Sequence, residues 1–277
     1  MPPEERRLLS PLAACHTPTT LHGMKKRLDT LLVERGLAES RAKAQALVLA
    51  GLVPGYAKPG TQVDETAALE LERPPRFVSR GGEKLAHALE VFGVDVRGLD
   101  CLDLGASTGG FTDVLLQVGA ARVISVDVGY GQLHPRLRDD TRVTVMERVN
   151  ARGLRDLPFA PALVTCDVSF ISARTVLAPA LALAAPGWTA LVLVKPQFEA
   201  GRAEVGRGGV VRDPEIHRRV LRRTAEAALA WGGEVLGVVD SGLPGPKGNH
   251  EFFLHLVHRE QPGLPDEIDA WIDSAIS

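Results

Sequence analysis

The chain has 277 residues, 45% hydrophobic and 24% charged, with a formal net charge of −2. That balance suits a folded globular protein of one large and one small domain; it argues against a disordered chain and against a uniformly basic nucleic-acid binder. Three widely spaced cysteines, Cys15, Cys101 and Cys166, form no C-x-x-C pair, which disfavours a disulfide framework or zinc site and points to a reducing cytoplasm; no metal is expected.

Residues 1–23 carry several Pro and Thr and no periodicity, so they are expected to be a disordered or untranslated extension, with Met24-Lys-Lys-Arg opening the structured region. From Arg27 the pattern is helical. Leu28, Leu31 and Leu32 share a face and Gly36 is a stop. Ser40 is a good N-cap for a second helix that ends at Gly51. Short β-like pieces follow at Leu52–Val53, Gln62–Val63 and Ala68–Leu71. This compact unit spans 24–73. Between Met24 and Gly60 it carries seven Lys/Arg against three acids, a basic head on an acidic body. Pro74-Pro75 opens a linker over 74–82.

Over 83–260, apolar strand-like runs alternate with helical ones. The strands are Cys101–Leu104, Val123–Val126, Val143–Met146, Leu163–Cys166, Ala190–Val194, Glu234–Val239 and Phe252–Val257. The helices are Lys84–Phe92, Thr112–Val118, Ala173–Ala184 and Pro214–Ala230. Continuous apolar strands between helices indicate an α/β fold with a mostly parallel, Rossmann-like sheet covered on both faces. A Gly/Pro-rich loop, not a helix, separates the last two strands, which permits an antiparallel last strand. Residues 261–277 read as a tail. The charge-free run Val176–Val194 is broken by Pro179, Pro186 and Gly187; it reads as a helix, a turn and a strand rather than a membrane span.

Asp103-Leu-Gly105-Ala-Ser107-Thr-Gly109-Gly110-Phe111 follows the first of these strands and opens a helix. Its glycines let backbone approach a ligand at the carboxyl edge of the sheet. The spacing is not G-x-G-x-x-G, so the dinucleotide fingerprint is not met. It resembles the first motif of S-adenosylmethionine methyltransferases. Asp127, ending the second strand, is placed to accept both ribose hydroxyls of an adenosine cofactor. Asn150, past the third, is placed against adenine. A capping Asp and a turn Asn are the alternative readings. Four polar residues stand where apolar ones are expected or at strand ends: Lys84, Asp167, Lys195 and Glu251. A solvated helix lysine and an edge-strand charge are the alternatives for Lys84 and Glu251. Lys195, after four apolar residues, has no such simple alternative.

The Gly turn, Asp167-Val-Ser-Phe, Lys195-Pro-Gln-Phe-Glu and Gly248-Asn-His-Glu251 together resemble the TlyA (hemolysin A) group of FtsJ-like ribose methyltransferases, over about Met24 to Val257. The resemblance implies an rRNA 2′-O-methyltransferase, on cytidine, with a Lys84, Asp167, Lys195, Glu251 tetrad. It implies S-adenosylmethionine contacts from the turn and from Asp127, Asn150 and Asp167. Phe111 stands where many such enzymes have Trp, still an aromatic face. A weakly acidic ribose hydroxyl must lose its proton as it attacks; a lysine whose pKa is lowered by burial and a neighbouring cation can take it. Lys195 is the candidate base and Lys84 the neighbouring cation, with Asp167 and Glu251 orienting them. Arg27-Leu-Asp-Thr-Leu-Leu and the residues after it resemble the alpha-L RNA-binding motif. That implies RNA contacts from Lys25, Lys26, Arg27, Arg35, Arg41 and Lys43 on basic helices. Val53-Pro-Gly-Tyr-Ala departs from the basic or polar turn usual there, and the Pro is expected to weaken the hairpin. The implied partner is ribosomal RNA or a ribosomal subunit, not a membrane, and a monomer is expected. The alternatives are methylation of another RNA and a catalytically silent RNA-binding assembly protein. The loop 200–212 is expected either to close over substrate or to be a plain flexible loop.

Overall fold

A computed structural model describes residues 24–72 and 75–277; the expectation for 1–23 lies outside the described residues. The chain divides into two compact units, Met1–Pro74 and Pro75–Ser277.

In the first unit, strand β1 (Lys25–Arg27) leads into helix α1 (Leu28–Glu34). Helix α2 (Arg41–Leu49) and strand β2 (Gln62–Asp64) follow. Ser40 caps α2, its Oγ accepting from Lys43 N at 3.2 Å. Leu28, Leu31 and Leu32 bury against Ala44, Val48, Val53 and Val63. Two expectations fail here. Leu52–Val53 and Ala68–Leu71 are not strands; a single bond, Glu72 N to Leu52 O at 2.8 Å, joins those stretches. The ladder instead pairs β1 with β2 antiparallel, so Arg27 ends a strand and the helix begins one residue later, at Leu28. Pro54 lies outside this ladder and in a turn, where a missing N–H costs nothing.

Much of the basic character of this unit is committed internally. Asp29 has no exposed surface and accepts from Arg27 Nη2 at 2.8 Å, Gln45 Nε2 at 2.9 Å and Arg41 Nε at 3.1 Å. The Arg27 guanidinium, helped by Gln45 and Arg41 against the effect of burial, holds this carboxyl well below the usual carboxylate range. Lys26 pairs with Glu34 at 2.8 Å, and Arg35 donates to the carbonyls of Glu65 and Ala67. Lys25 and Lys43 form no ion pair among the described residues. The expected set of six RNA-facing cations is therefore two unpaired lysines and four side chains that also hold the unit together.

The second unit runs α3 (Gly81–Phe92), β3 (Asp100–Leu104), α4 (Gly110–Gln117), β4 (Arg122–Asp127), α5 (Pro135–Arg138) and β5 (Val143–Glu147). It continues with β6 (Leu163–Cys166), α6 (Ala173–Leu181), β7 (Thr189–Val194), α7 (Pro196–Glu199), α8 (Pro214–Leu229), β8 (Gly233–Asp240), β9 (Phe252–His258) and α9 (Ile268–Ile276). The sheet order is β5-β4-β3-β6-β7-β9-β8. Five strands pair parallel, and β9 enters antiparallel between β7 and β8.

Alternation along the strands explains why they read as unbroken apolar runs. Ala190, Val192 and Val194 of β7 join Phe252, Leu254 and Leu256 of β9 under α6, α8 and α9. Leu191, Leu193 and Phe253 face the other way, under α3 and α4. Both faces of these central strands are buried, so they show no alternation to exposed polar positions. The charge-free run divides into α6 and β7 as expected, and no helix among the described residues is long and apolar enough to cross a membrane. The expected tail contains a helix, α9, which buries Ile268 and Ile272 against the sheet's first face.

Replacing Asp29 by Ala leaves Gln45 and two guanidiniums without their common acceptor. Hydrogen exchange read by mass spectrometry is expected to quicken over residues 28–49 and to stay unchanged over β3, β6 and β7. Unchanged exchange over 28–49 would show that Asp29 does not organise this unit.

Candidate active site

The Gly turn is held from below. Asp103, on β3, has no exposed surface; Oδ2 accepts from Thr112 N at 2.9 Å and Thr112 Oγ1 at 2.7 Å. Thr165 Oγ1 on β6 donates to Oδ1 at 3.3 Å. Thr112 is the third residue of α4, so Asp103 satisfies one of that helix's free N–H groups from across the turn. Asp103 is thus a support of the turn, its carboxylate facing Thr112 and Thr165. Burial, with the Asp167 charge adding to it, pushes the Asp103 carboxyl up to about 7 against the hydrogen bonds from Thr112 and Thr165.

Above it, Gly105 has φ +84°, and a Cβ there would lie 2.5 Å from the Asp167 carbonyl oxygen. Gly109 has φ +95°, and a Cβ on Gly110 would collide with Ser79 Oγ. Only glycine fits at these positions. Phe111 is 3% exposed and stacks on Phe253 with ring centroids 5.9 Å apart, and it also lines the small cavity beside the turn.

Asp127 closes the turn from the side. Oδ2 accepts from Ser107 N at 2.8 Å and Oδ1 from Gly129 N at 2.6 Å. Asn150 accepts from Arg152 N at 3.1 Å, starting a short 3-10 turn at Ala151–Gly153. Gly105, Ser107, Asp127 and Asn150 line one cavity of about 560 Å³.

The four candidate catalytic residues meet in a neighbouring cavity of about 540 Å³. In the β7–β9 ladder Val194 pairs with Phe252, so Lys195 and Glu251 leave the ladder side by side. They do not pair with each other. Lys84, on the first turn of α3, reaches Glu251 Oε2 at 2.5 Å, with side chains 9% and 2% exposed. Lys195 Nζ lies 2.5 Å from Asp167 Oδ1, an ion pair whose angles fall short of a hydrogen bond, and donates to Ser169 Oγ at 2.9 Å. A third, smaller cavity of about 200 Å³ between Gly105, Gly110, Asp167 and Lys195 joins the two. Asp167 lines all three. The arrangement can hold a nucleoside-bearing ligand on one side of Asp167 and an attacking group on the other, with a lysine at the junction.

The comparisons with known proteins fall in line with this geometry. The FtsJ-like methyltransferase model matches residues 77–258, and the S4 domain model matches residues 26–53. The chain belongs to the TlyA/hemolysin A group of FtsJ-like methyltransferases. It is 48% identical over 241 residues to the 16S/23S rRNA (cytidine-2′-O)-methyltransferase TlyA of Mycobacterium tuberculosis, covering 84% of this chain and 90% of that protein. It is 38% identical to Hemolysin A of Brachyspira hyodysenteriae, covering 83% of this chain and 99% of that protein. The solved "Putative hemolysin" of Streptococcus thermophilus is 41% identical with a TM-score of 0.70, covering 91% of this chain and 96% of that one.

This TlyA-group site also contains side chains that the motifs included but that sequence reasoning did not weigh singly. Ser169 is a partner of Lys195. Gln197 Nε2 donates to Glu251 Oε1 at 3.3 Å. Phe170, 91% exposed with φ +65°, tilts against Phe198 at 5.1 Å on the rim shared by the two larger cavities. Cys101 and Cys166 are buried, as their apolar surroundings imply, and burial pushes both thiols up.

The Asp103 shift has a consequence for stability. Between about pH 4, where an unfolded Asp titrates, and about pH 7, the folded chain keeps a proton that the unfolded chain has lost. Stability therefore falls as pH rises through this window, by at most about 1.4 kcal/mol per pH unit from this group. Urea unfolding of Asp103→Asn is expected to show a flatter pH dependence there than the wild-type chain. Equal slopes would show that Asp103 is ionised in the fold.

Proposed function

We propose that the chain transfers the methyl group of S-adenosylmethionine to a ribose 2′-hydroxyl of ribosomal RNA, at cytidine. The observation that carries this reading is the pairing of Lys195 with Asp167 and of Lys84 with Glu251, at the point where the three cavities join. The named relative acts on cytidine in 16S and 23S rRNA, and its identity to this chain spans both the S4 and the FtsJ-like regions.

The residues of the Gly turn fit the cofactor. Gly105 and Gly109 supply a close backbone approach, and each Asp127 carboxylate oxygen keeps a lone pair for a ribose hydroxyl beyond the backbone N–H it accepts. Asn150 accepts through Oδ1, which leaves its Nδ2 for an adenine ring nitrogen. When bound, the cofactor supplies an electrophilic sulfonium methyl. The chain's own residues do the rest. Asp167 and Ser169 fix the position of Lys195 Nζ. In its neutral form that nitrogen takes the hydroxyl proton as the oxygen attacks in line. Glu251 holds Lys84 as a second fixed charge, available to the oxygen or to the adjacent phosphate. Phe170 offers an exposed ring on which an unstacked base can lie. Lys25, Lys43 and Lys58 of the N-terminal unit form no ion pair among the described residues and are available to phosphates. The work is placed where ribosomal RNA is, in the cytoplasm.

Replacing Lys195 by Ala should lower methyl transfer to rRNA by about 10²-fold or more, the usual worth of a general base. Cofactor affinity by calorimetry should stay close to wild type. Unchanged turnover would remove Lys195 as the base; loss of cofactor binding would place it in the cofactor site instead. A chain that binds rRNA and cofactor but transfers no methyl group would favour the non-catalytic assembly role.

A further inference from the structure

The two loops that carry Asp167 and Lys195 come from adjacent parallel strands, β6 and β7, and the ladder stops before both residues. Something beyond the sheet must fix one loop against the other. The Asp167–Lys195 ion pair at 2.5 Å is one such link, between side chains 23% and 11% exposed.

Glu199 stands at the end of α7, four residues after Lys195, and its side chain is 3% exposed. Its carboxylate crosses to the other loop. Oε2 accepts from Ser172 Oγ at 2.6 Å and from Arg174 Nε at 3.1 Å, and Oε1 accepts from Ala173 N at 2.6 Å. Ser172 is the N-cap position of α6, but its own side chain makes no cap bond. The free N–H at that helix start is satisfied by Glu199 instead, and the negative charge lies at the favourable end of the helix. The six-residue stretch from Asp167 to Ser172 is thus fastened at its far end to the five-residue stretch from Lys195 to Glu199. Phe170 against Phe198 at 5.1 Å packs the space between the two stretches.

We infer that Glu199 is a positioning residue for the transfer reaction: by capping α6 from the Lys195 loop it sets Lys195 Nζ against Asp167 Oδ1. It touches neither Lys195 nor Asp167 and acts through the loops. The Lys84–Glu251 pair rests on α3 and on the start of β9, and its link to α7 is the single bond from Gln197 Nε2 to Glu251 Oε1 at 3.3 Å.

The inference rests on Lys195 being the proton acceptor, so its test includes a reading that needs no methyl transfer. Pulse acetylation with acetic anhydride, followed by peptide mass spectrometry, reports how open each lysine is. In Glu199→Ala the expected result is several-fold faster labelling of Lys195 with unchanged labelling of Lys84. The kcat should fall by about tenfold, as a displaced catalytic group requires, with little change in the KM for rRNA. Glu199→Gln keeps an acceptor for Ala173 N and should restore most of both. Labelling of Lys195 that stays at the wild-type rate, or of Lys84 and Lys195 that rises together, overturns the inference; the second result marks general loosening. Should Glu199→Ala fail to fold, Ser172→Ala removes one bond of the clamp and carries the same comparison in smaller measure. Absent methyl transfer in the wild-type chain would sink the proposed function and leave the labelling result standing.

Discussion

The antiparallel entry of β9 between β7 and β8 is the constraint on which the site depends. A parallel strand at that place would carry Glu251 to the opposite edge of the sheet. Entering in reverse, β9 begins where β7 ends, and the pairing of Val194 with Phe252 delivers Lys195 and Glu251 to the same edge. The parallel neighbour β6 delivers Asp167 there as well. Lys84 comes from a different direction, on the first turn of a helix packed over the face that contains Phe253. Four charges therefore converge without any of them interrupting a strand.

Convergence of two ammonium and two carboxylate groups in a partly buried cleft is tolerable only if they pair. Removing one member of such a pair leaves an uncompensated charge in a poorly solvated place. The observed pairing is crosswise to the ladder: Lys195 goes to Asp167 and Lys84 to Glu251. It separates a fixed pair, 9% and 2% exposed, from a pair that is more open, 11% and 23% exposed, and that also faces the cofactor-side cavities. The more open pair lies beside the Gly turn, and under the proposed function it is the one that takes the proton while the buried pair holds its charge still.

The architecture was legible in the sequence because both faces of the sheet are buried. Each strand of the large sheet carries an apolar run, interrupted in β3 by Asp103 and in β4 by Ser125, and the Gly turn shows because a Cβ at Gly105 would collide with backbone. The tetrad was legible because Lys195 and Asp167 end such runs abruptly. What was not legible depends on side-chain direction or on short elements. Asp103 and Phe111 belong to the turn motif, but one faces down to Thr112 and the other into the core against Phe253. Sequence position alone gives neither direction. Helices α5 and α7 are four residues long and begin at a proline, too short for any periodicity to register. The ladder of the small unit uses Lys25–Arg27, three charged residues whose pairing with Gln62–Asp64 has no apolar alternation to announce it. Glu199 read as part of a motif; its partners lie more than twenty residues earlier.

Under the proposed function, the junction of the three cavities is where a methyl group reaches a ribose oxygen. The most direct measurement uses rRNA from cells lacking the gene, incubated with the purified chain and S-adenosylmethionine, and then digested to nucleosides for mass spectrometry. The account predicts new 2′-O-methylcytidine that is absent without the chain. Methyl groups on a base, or none on ribose, would contradict it.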